Sequence, residues 1–193
     1  GETAHEFLES ANEIDLVNAI RDYGEEPSWK KIIKAILNAR GSGALARTKS
    51  FANLVESVKY QPKRANKNNK SLSSRKIHPA TQTFQGIRIA INNELESIKC
   101  GLQQGFDLLE PSGVLVAISF HSLEDRIVKR YFRNLSGRPE HNKDNSVIGE
   151  RIIKASMVST KAVKASKDEI SFNPRSRSAR MRGIKKLPLN ISS

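Results

Sequence analysis

An apolar run that passes without interruption into a two-faced helix constrains this chain more than any other stretch. Val114 to Phe120 reads Val-Leu-Val-Ala-Ile-Ser-Phe, a β-branched-rich segment of the kind that forms a strand buried on both faces of a parallel sheet. From Ser122 the period changes to 3.6. Leu123, Ile127, Val128, Tyr131, Phe132 and Leu135 then fall on one side of a helix, and Arg126, Lys129, Arg130 and Arg133 on the other. Strand followed at once by helix is half of a βαβ unit, and the join, Ser119-Phe120-His121-Ser122-Leu123-Glu124-Asp125, lies at the carboxyl end of the strand, where open α/β sheets hold ligands.

Upstream, Phe84, Ile87, Ile91, Leu95, Ile98, Leu102, Phe106 and Leu109 recur at spacings of three and four, which predicts a single long helix bounded by Pro79 and by Pro111-Ser112-Gly113. Before it, Thr3 to Val58 reads as several short helices. Thr3 with Glu6 forms a capping box, Ser28 stands ready to cap a helix through Trp29, Ile32, Ile33 and Ile36, and Gly41-Ser42-Gly43 stops that helix. Gly24, in Tyr23-Gly24-Glu25-Glu26, ends the helix before it. Ala155 to Val163 reads as a strand, and Asn173 to Arg182 as an arginine-dense tail, which is either solvated or nucleic-acid-binding.

Charge separates these regions. The net charge is +13, which favours polyanionic partners without saying anything about fold. Residues 59 to 76 hold seven basic and no acidic side chains. That stretch reads either as a solvated linker or as a loop that orders on RNA. A lone cysteine, Cys100, excludes an internal disulfide and suits a reducing compartment; with no signal peptide and no apolar run of membrane length, a cytoplasmic protein that avoids membranes is expected. The first residue is not Met and helical pattern begins almost at once, as in a piece of a longer protein.

The chemistry-bearing residues gather at the join. His5, His78, His121 and His141 share no ligand spacing with each other or with Cys100, so no metal site is expected. His121 is either a hydrogen-bonded structural residue or, with Ser122, Glu124 and Asp125 beside it, a group that orients a substrate or moves a proton. The basic helix face is either solvated or a phosphate-contacting surface. No Gly-x-Ser-x-Gly elbow, Gly-x-Gly-x-x-Gly turn or P-loop occurs.

Four strings, in order, carry a resemblance: Tyr23-Gly24-Glu25-Glu26; His78-Pro79-Ala80-Thr81 with Thr83 to Leu95; Ser119 to Arg126; and Asn173 to Ala179. Together they resemble the bacterial small-subunit ribosomal RNA methyltransferase H family over nearly the whole chain. The resemblance implies an S-adenosylmethionine-dependent enzyme acting on the exocyclic N4 of a cytidine in the decoding region of 16S rRNA. It implies an α/β fold: an incomplete class I, Rossmann-like methyltransferase sheet plus an all-α inserted subdomain. On that map residues 1–76 are a helical substrate-recognition insertion with a basic linker at 59–76, and residues 77–193 are the C-terminal half of the methyltransferase domain. The family's donor-binding motifs match nothing here, so no cofactor-binding residue is assigned. His121, Ser122, Glu124 and Asp125 are expected on the cytidine side. Arg88, Arg126, Lys129, Arg130, Arg133, Arg175 and Arg177 are expected on RNA. Such a chain, alone, is expected to be inactive and prone to self-association through an exposed sheet edge. A non-catalytic RNA- or DNA-binding module is the alternative.

Overall fold

The structure, a computed structural model, describes residues 1–59, 78–141, 144 and 152–188. The basic stretch expected at 59–76 falls, apart from Lys59, outside the described residues. The chain is mixed α/β and forms two compact units, Gly1–Glu94 and Leu95–Ser193.

The first unit is all-helical. Helices α1 (Ala4–Ser10) and α2 (Glu13–Val17) lead into a π-helical segment, Asn18–Tyr23, and then come α3 (Trp29–Ala39), α4 (Thr48–Lys59) and α5 (Thr81–Ile91). Thr3 and Glu6 make the expected reciprocal capping box. Ser28 stands at the N-cap of α3 without a side-chain capping bond, and its backbone N–H donates to Glu26 Oε1 at 3.0 Å. Leu16, Ala19, Ile20, Ile32, Ile36, Phe51, Val55 and Ile87 form the core.

Two of the resemblance-bearing strings interlock here. The backbone at Gly24 and Gly86 is so close that a Cβ on Gly24 would lie 2.6 Å from the Gln82 carbonyl oxygen, and one on Gly86 would lie 2.0 Å from that of Ala19. Gly24 does end the π-helical segment, but with φ −80°. Its lack of a side chain serves the approach of α5, not a left-handed turn. Glu26, 1% exposed, accepts from Lys59 Nζ at 2.7 Å, and the same ammonium donates to the Pro79 carbonyl at 2.8 Å.

The single long helix expected between Phe84 and Leu109 is two. The break comes at Asn92-Asn93, where Asn93 takes φ +48°, a conformation asparagine tolerates better than most residues. Helix α6 then runs Glu94–Asp107. The apolar spacing continues across the break, and so hid it.

The second unit is a small open sheet with helices. Strand β1 (Val114–Ser119) is followed by α7 (Ser122–Leu135), β2 (Ala155–Met157), β3 (Val163–Lys164), α8 (Lys167–Phe172), a 3₁₀ turn at Pro174–Ser178 and β4 (Arg180–Lys186). Strand β4 is central, pairing antiparallel with β1 on one side and with β2 and then β3 on the other. Strands β1 and β2, each antiparallel to β4, therefore run parallel to each other with α7 between them in sequence. This is the expected α/β class, an incomplete Rossmann-like core plus an all-α subdomain.

Three expectations need correction here. Strand β1 is not buried on both faces and has no parallel neighbour among the described residues: Val114, Val116 and Ile118 are 48, 53 and 58% exposed, while Leu115 and Ala117 pack inward with Phe106, Phe132 and Ile184. The strand expected over Ala155–Val163 is two short ones, separated by Val158–Ala162. The arginine-rich stretch 173–182 is no tail, since its last three residues begin the central strand. Lys186 Nζ ties that strand to the end of α6 by donating to the Phe106, Asp107 and Leu109 carbonyls at 3.2, 3.2 and 2.7 Å.

Candidate functional site

The site lies in the second unit, where β1 ends and α7 begins. His121 is the N-cap of α7. Its Nδ1 accepts from the Glu124 N–H at 3.4 Å, and Glu124 Oε2 accepts in return from the N–H groups of His121 at 3.3 Å and Phe120 at 2.7 Å. This is a capping box with histidine in the usual Ser or Thr position. Two residues singled out for chemistry therefore also fix the start of the helix.

The other ring nitrogen of His121 is different. Nε2 lies 3.0 Å from Glu124 Oε1, but out of line for a full hydrogen bond, so a buried nitrogen keeps no linear partner among the described residues. With Nδ1 accepting, Nε2 carries the proton of the neutral ring. Burial pushes the Glu124 carboxyl up, yet its contact with the His121 ring and the bonds from the Phe120 and His121 N–H groups outweigh burial and hold it below the usual carboxylate range.

Asp125 faces away from this cap. It is buried, and its Oδ1 accepts from Arg182 Nε at 2.7 Å while Oδ2 accepts from Arg182 at 3.1 Å and Arg180 at 3.0 Å. Burial raises its carboxyl, but the bonds from Arg182 and then Arg180, with their charges, prevail and keep it below its ordinary value. Asp125 thus fastens α7 to the central strand through three charge-assisted bonds.

A cavity of about 310 Å³ opens beside the cap, lined by Phe120, His121, Ser122, Lys164, Arg177, Ser178, Ala179 and Arg180. It joins the third and fourth resemblance-bearing strings, through His121 and Ser122 on one wall and Arg177 to Ala179 on another. Three cations and no carboxylate line it among the described residues, so it suits an anion or the polar edge of an anionic ligand.

The remaining expected residues are spread out. Arg126, Lys129 and Arg130 are exposed on α7, while the Arg133 Nε is taken by the Pro139 carbonyl. Arg175 is exposed on the 3₁₀ turn. Arg88 is in the helical unit, paired with Glu94 at 2.8 Å. Sequence reasoning missed Lys164, Arg180 and Arg182. The signal for the two arginines was the alternation Arg180-x-Arg182 beside Ile184, a strand pattern obscured by the density of arginine; Lys164, in a two-residue strand, had none.

Comparison with known proteins gives consistent relatives. The model of the MraW methylase family matches residues 1–187. Proteins called ribosomal RNA small subunit methyltransferase H from Nitrosococcus oceani and Persephonella marina are 41% and 40% identical, each over 96% of this chain and over 56% and 55% of their own lengths. One of the same name from Treponema denticola is 42% identical over 96% of this chain and 56% of its own length. The chain therefore spans little more than half the length of these relatives.

Proposed function

The chain belongs to the MraW methylase family, and from that premise we propose that it is the C-terminal portion of an S-adenosylmethionine-dependent methyltransferase acting on the N4 of a cytidine in the decoding region of 16S rRNA. On this reading the helical unit recognises substrate, the sheet unit is the returning half of the catalytic domain, and the protein works in the cytoplasm. No helix among the described residues is long and apolar enough to cross a membrane. The observation that carries the proposal is the cationic cavity at the end of β1, where two separate family-like strings meet around His121 and Ser122.

The cavity at His121 does not suit the methyl donor. S-adenosylmethionine carries a sulfonium and an ammonium against a single carboxylate, and the cavity at His121 offers this net cation Lys164, Arg177 and Arg180 with no carboxylate among the described lining residues. Its binding is assigned to sequence outside this chain, and the chain alone is inactive. What these residues supply is the acceptor side. Methylating an exocyclic amine requires an unstacked base; the cavity wall at His121 and Ser122 faces its polar edge, and Lys164, Arg177 and Arg180 meet the adjoining phosphates. Glu124 and Asp125 are positioning residues, the first orienting His121 and the second locking α7 to β4. Arg126, Lys129, Arg130, Arg133 and Arg175 extend the RNA contact along the surface.

Calorimetry with S-adenosylmethionine on this chain, and on a version extended to the length of its relatives, tests the reading. The extended protein should bind the donor and methylate small-subunit rRNA, and the chain alone should do neither. Donor binding by the chain alone would refute the division of labour. An extended protein that binds RNA but no donor would favour a non-catalytic nucleic-acid-binding module.

A further inference from the structure

The helical unit contains a larger cavity, of about 540 Å³, lined by Thr48, Ala52, His78, Thr81, Phe84, Gln85 and Arg88. We infer that it is a second nucleobase pocket, taking an unpaired RNA base other than the methylated one. The inference rests on the rRNA methyltransferase reading and adds a subsite to it.

The lining is chemically specific. Phe84 and Ala52 supply apolar surface, and the Phe84 ring is held by an edge-to-face contact with buried Phe51, centroids 5.3 Å apart at 86°. A ring fixed in this way loses little entropy when a flat ligand packs on it. Around it stand Thr48, Thr81 and Gln85, each able to donate and accept. His78 Nδ1 accepts from the Ala80 N–H at 3.2 Å, so its Nε2 is the remaining donor of the neutral ring. Arg88 is fixed by a two-pronged pairing with Glu94 at 2.8 and 3.1 Å, and Asn92 Nδ2 adds a third bond to the same carboxylate at 3.2 Å.

Charge narrows the choice. The one permanent cation in the lining, Arg88, is already paired, and no carboxylate is among the described lining residues. That disfavours a free phosphate and a cationic ligand alike, and leaves a neutral heterocycle with donors and acceptors on its edge. Single-stranded RNA is recognised through such unstacked bases, packed on aromatic rings and hydrogen-bonded at their edges. The cavity is also within the ordinary size range of small-ligand sites.

The test uses the 193-residue chain and two fluorescent six-nucleotide RNAs, oligocytidine and an oligomer of the same length whose central sugars lack bases. Both carry the same phosphates. Anisotropy titrations at low salt should show the base-bearing RNA binding about tenfold more tightly, the usual scale for a base stacked on an aromatic side chain. That difference should collapse in Gln85→Ala and in Ala52→Phe, which fills the cavity, with circular dichroism checking that each remains folded. Should Ala52→Phe fail to fold, Gln85→Ala decides alone. Equal binding of the two RNAs, or a difference that survives the variants, overturns the pocket while leaving the RNA reading intact. Binding of neither RNA overturns both.

Discussion

Replacing Gly86 by alanine tests how the helical unit is held together. The new methyl carbon would sit 2.0 Å from the Ala19 carbonyl oxygen, 2.7 Å from Gly24 N and 2.9 Å from Gly24 Cα. All three are backbone atoms of the π-helical segment and its end, so no side chain can swing aside. To bring the first contact to an ordinary 3.4 Å, α5 must retreat by about 1.4 Å, and a gap of about 0.5–1 Å already forfeits a quarter to a half of the dispersion energy along the contact. Ala19, Ile20 and Ile87, at 0, 0 and 2% exposure, all lie on that seam. Overpacking a filled site costs about 1–3 kcal/mol, occasionally more, and alanine returns about 1 kcal/mol of helix propensity. With backbone on the receiving side the upper end applies, for a net loss of about 2 kcal/mol, or about 10 °C in a unit of this size. The assay is thermal unfolding followed by Trp29 fluorescence, since Trp29 is the sole tryptophan and belongs to this unit. Gly101→Ala in α6 is the matched control. A Cβ there meets nothing within 4 Å, so the same substitution should be neutral or slightly stabilising by circular dichroism. A Gly86→Ala protein that melts at or above the parental temperature would refute the close-approach argument.

Asp125→Asn removes the charge shared by Arg182 and Arg180; breaking a buried pair of this kind costs about 3 kcal/mol. Because the folded carboxyl titrates below its ordinary value of about 3.9, its contribution is complete above that pH and is lost as pH falls through the lowered folded value. Acid unfolding below about pH 4 should therefore be shallower in the variant, and identical slopes by circular dichroism would count against the ion pair. The apolar outer face of β1, with Val116 and Ile118 more than half exposed, together with its edge, should drive self-association of the chain. Light scattering should show mass above that of a monomer, falling in Ile118→Lys; a monomeric parent at high concentration would sink the idea.

Much of the fold was legible locally. The α7 stripe, the Thr3–Glu6 cap and the short helices of the first unit follow from period and capping chemistry that act within a turn or two. What escaped depended on distant partners. Strand β4 reads as a basic tail because Arg182 points into the protein, and only Asp125, 57 residues away, makes its burial tolerable. The break at Asn93 escaped because apolar spacing runs through it. Strand β1 was read as doubly buried from an apolar run alone, and in this chain one of its faces is open.

The site was legible as a place but not as a division of roles. His121, Ser122, Glu124 and Asp125 are consecutive or nearly so, and a helix turns each by about 100°, so neighbours in sequence must face different ways. Asp125 turns to the central strand and is spent on arginines. Glu124 turns back over the N-terminus and is spent on the cap. His121 and Ser122 line the cavity, with Arg177 and Arg180 brought to it by a chain path and strand pairing that no local pattern reports. On the proposed reading a substitution at Glu124 or Asp125 acts on a ligand only through the orientation of its neighbours. On that reading His121 serves both as helix cap and as cavity wall, while Glu124 and Asp125 act as architecture.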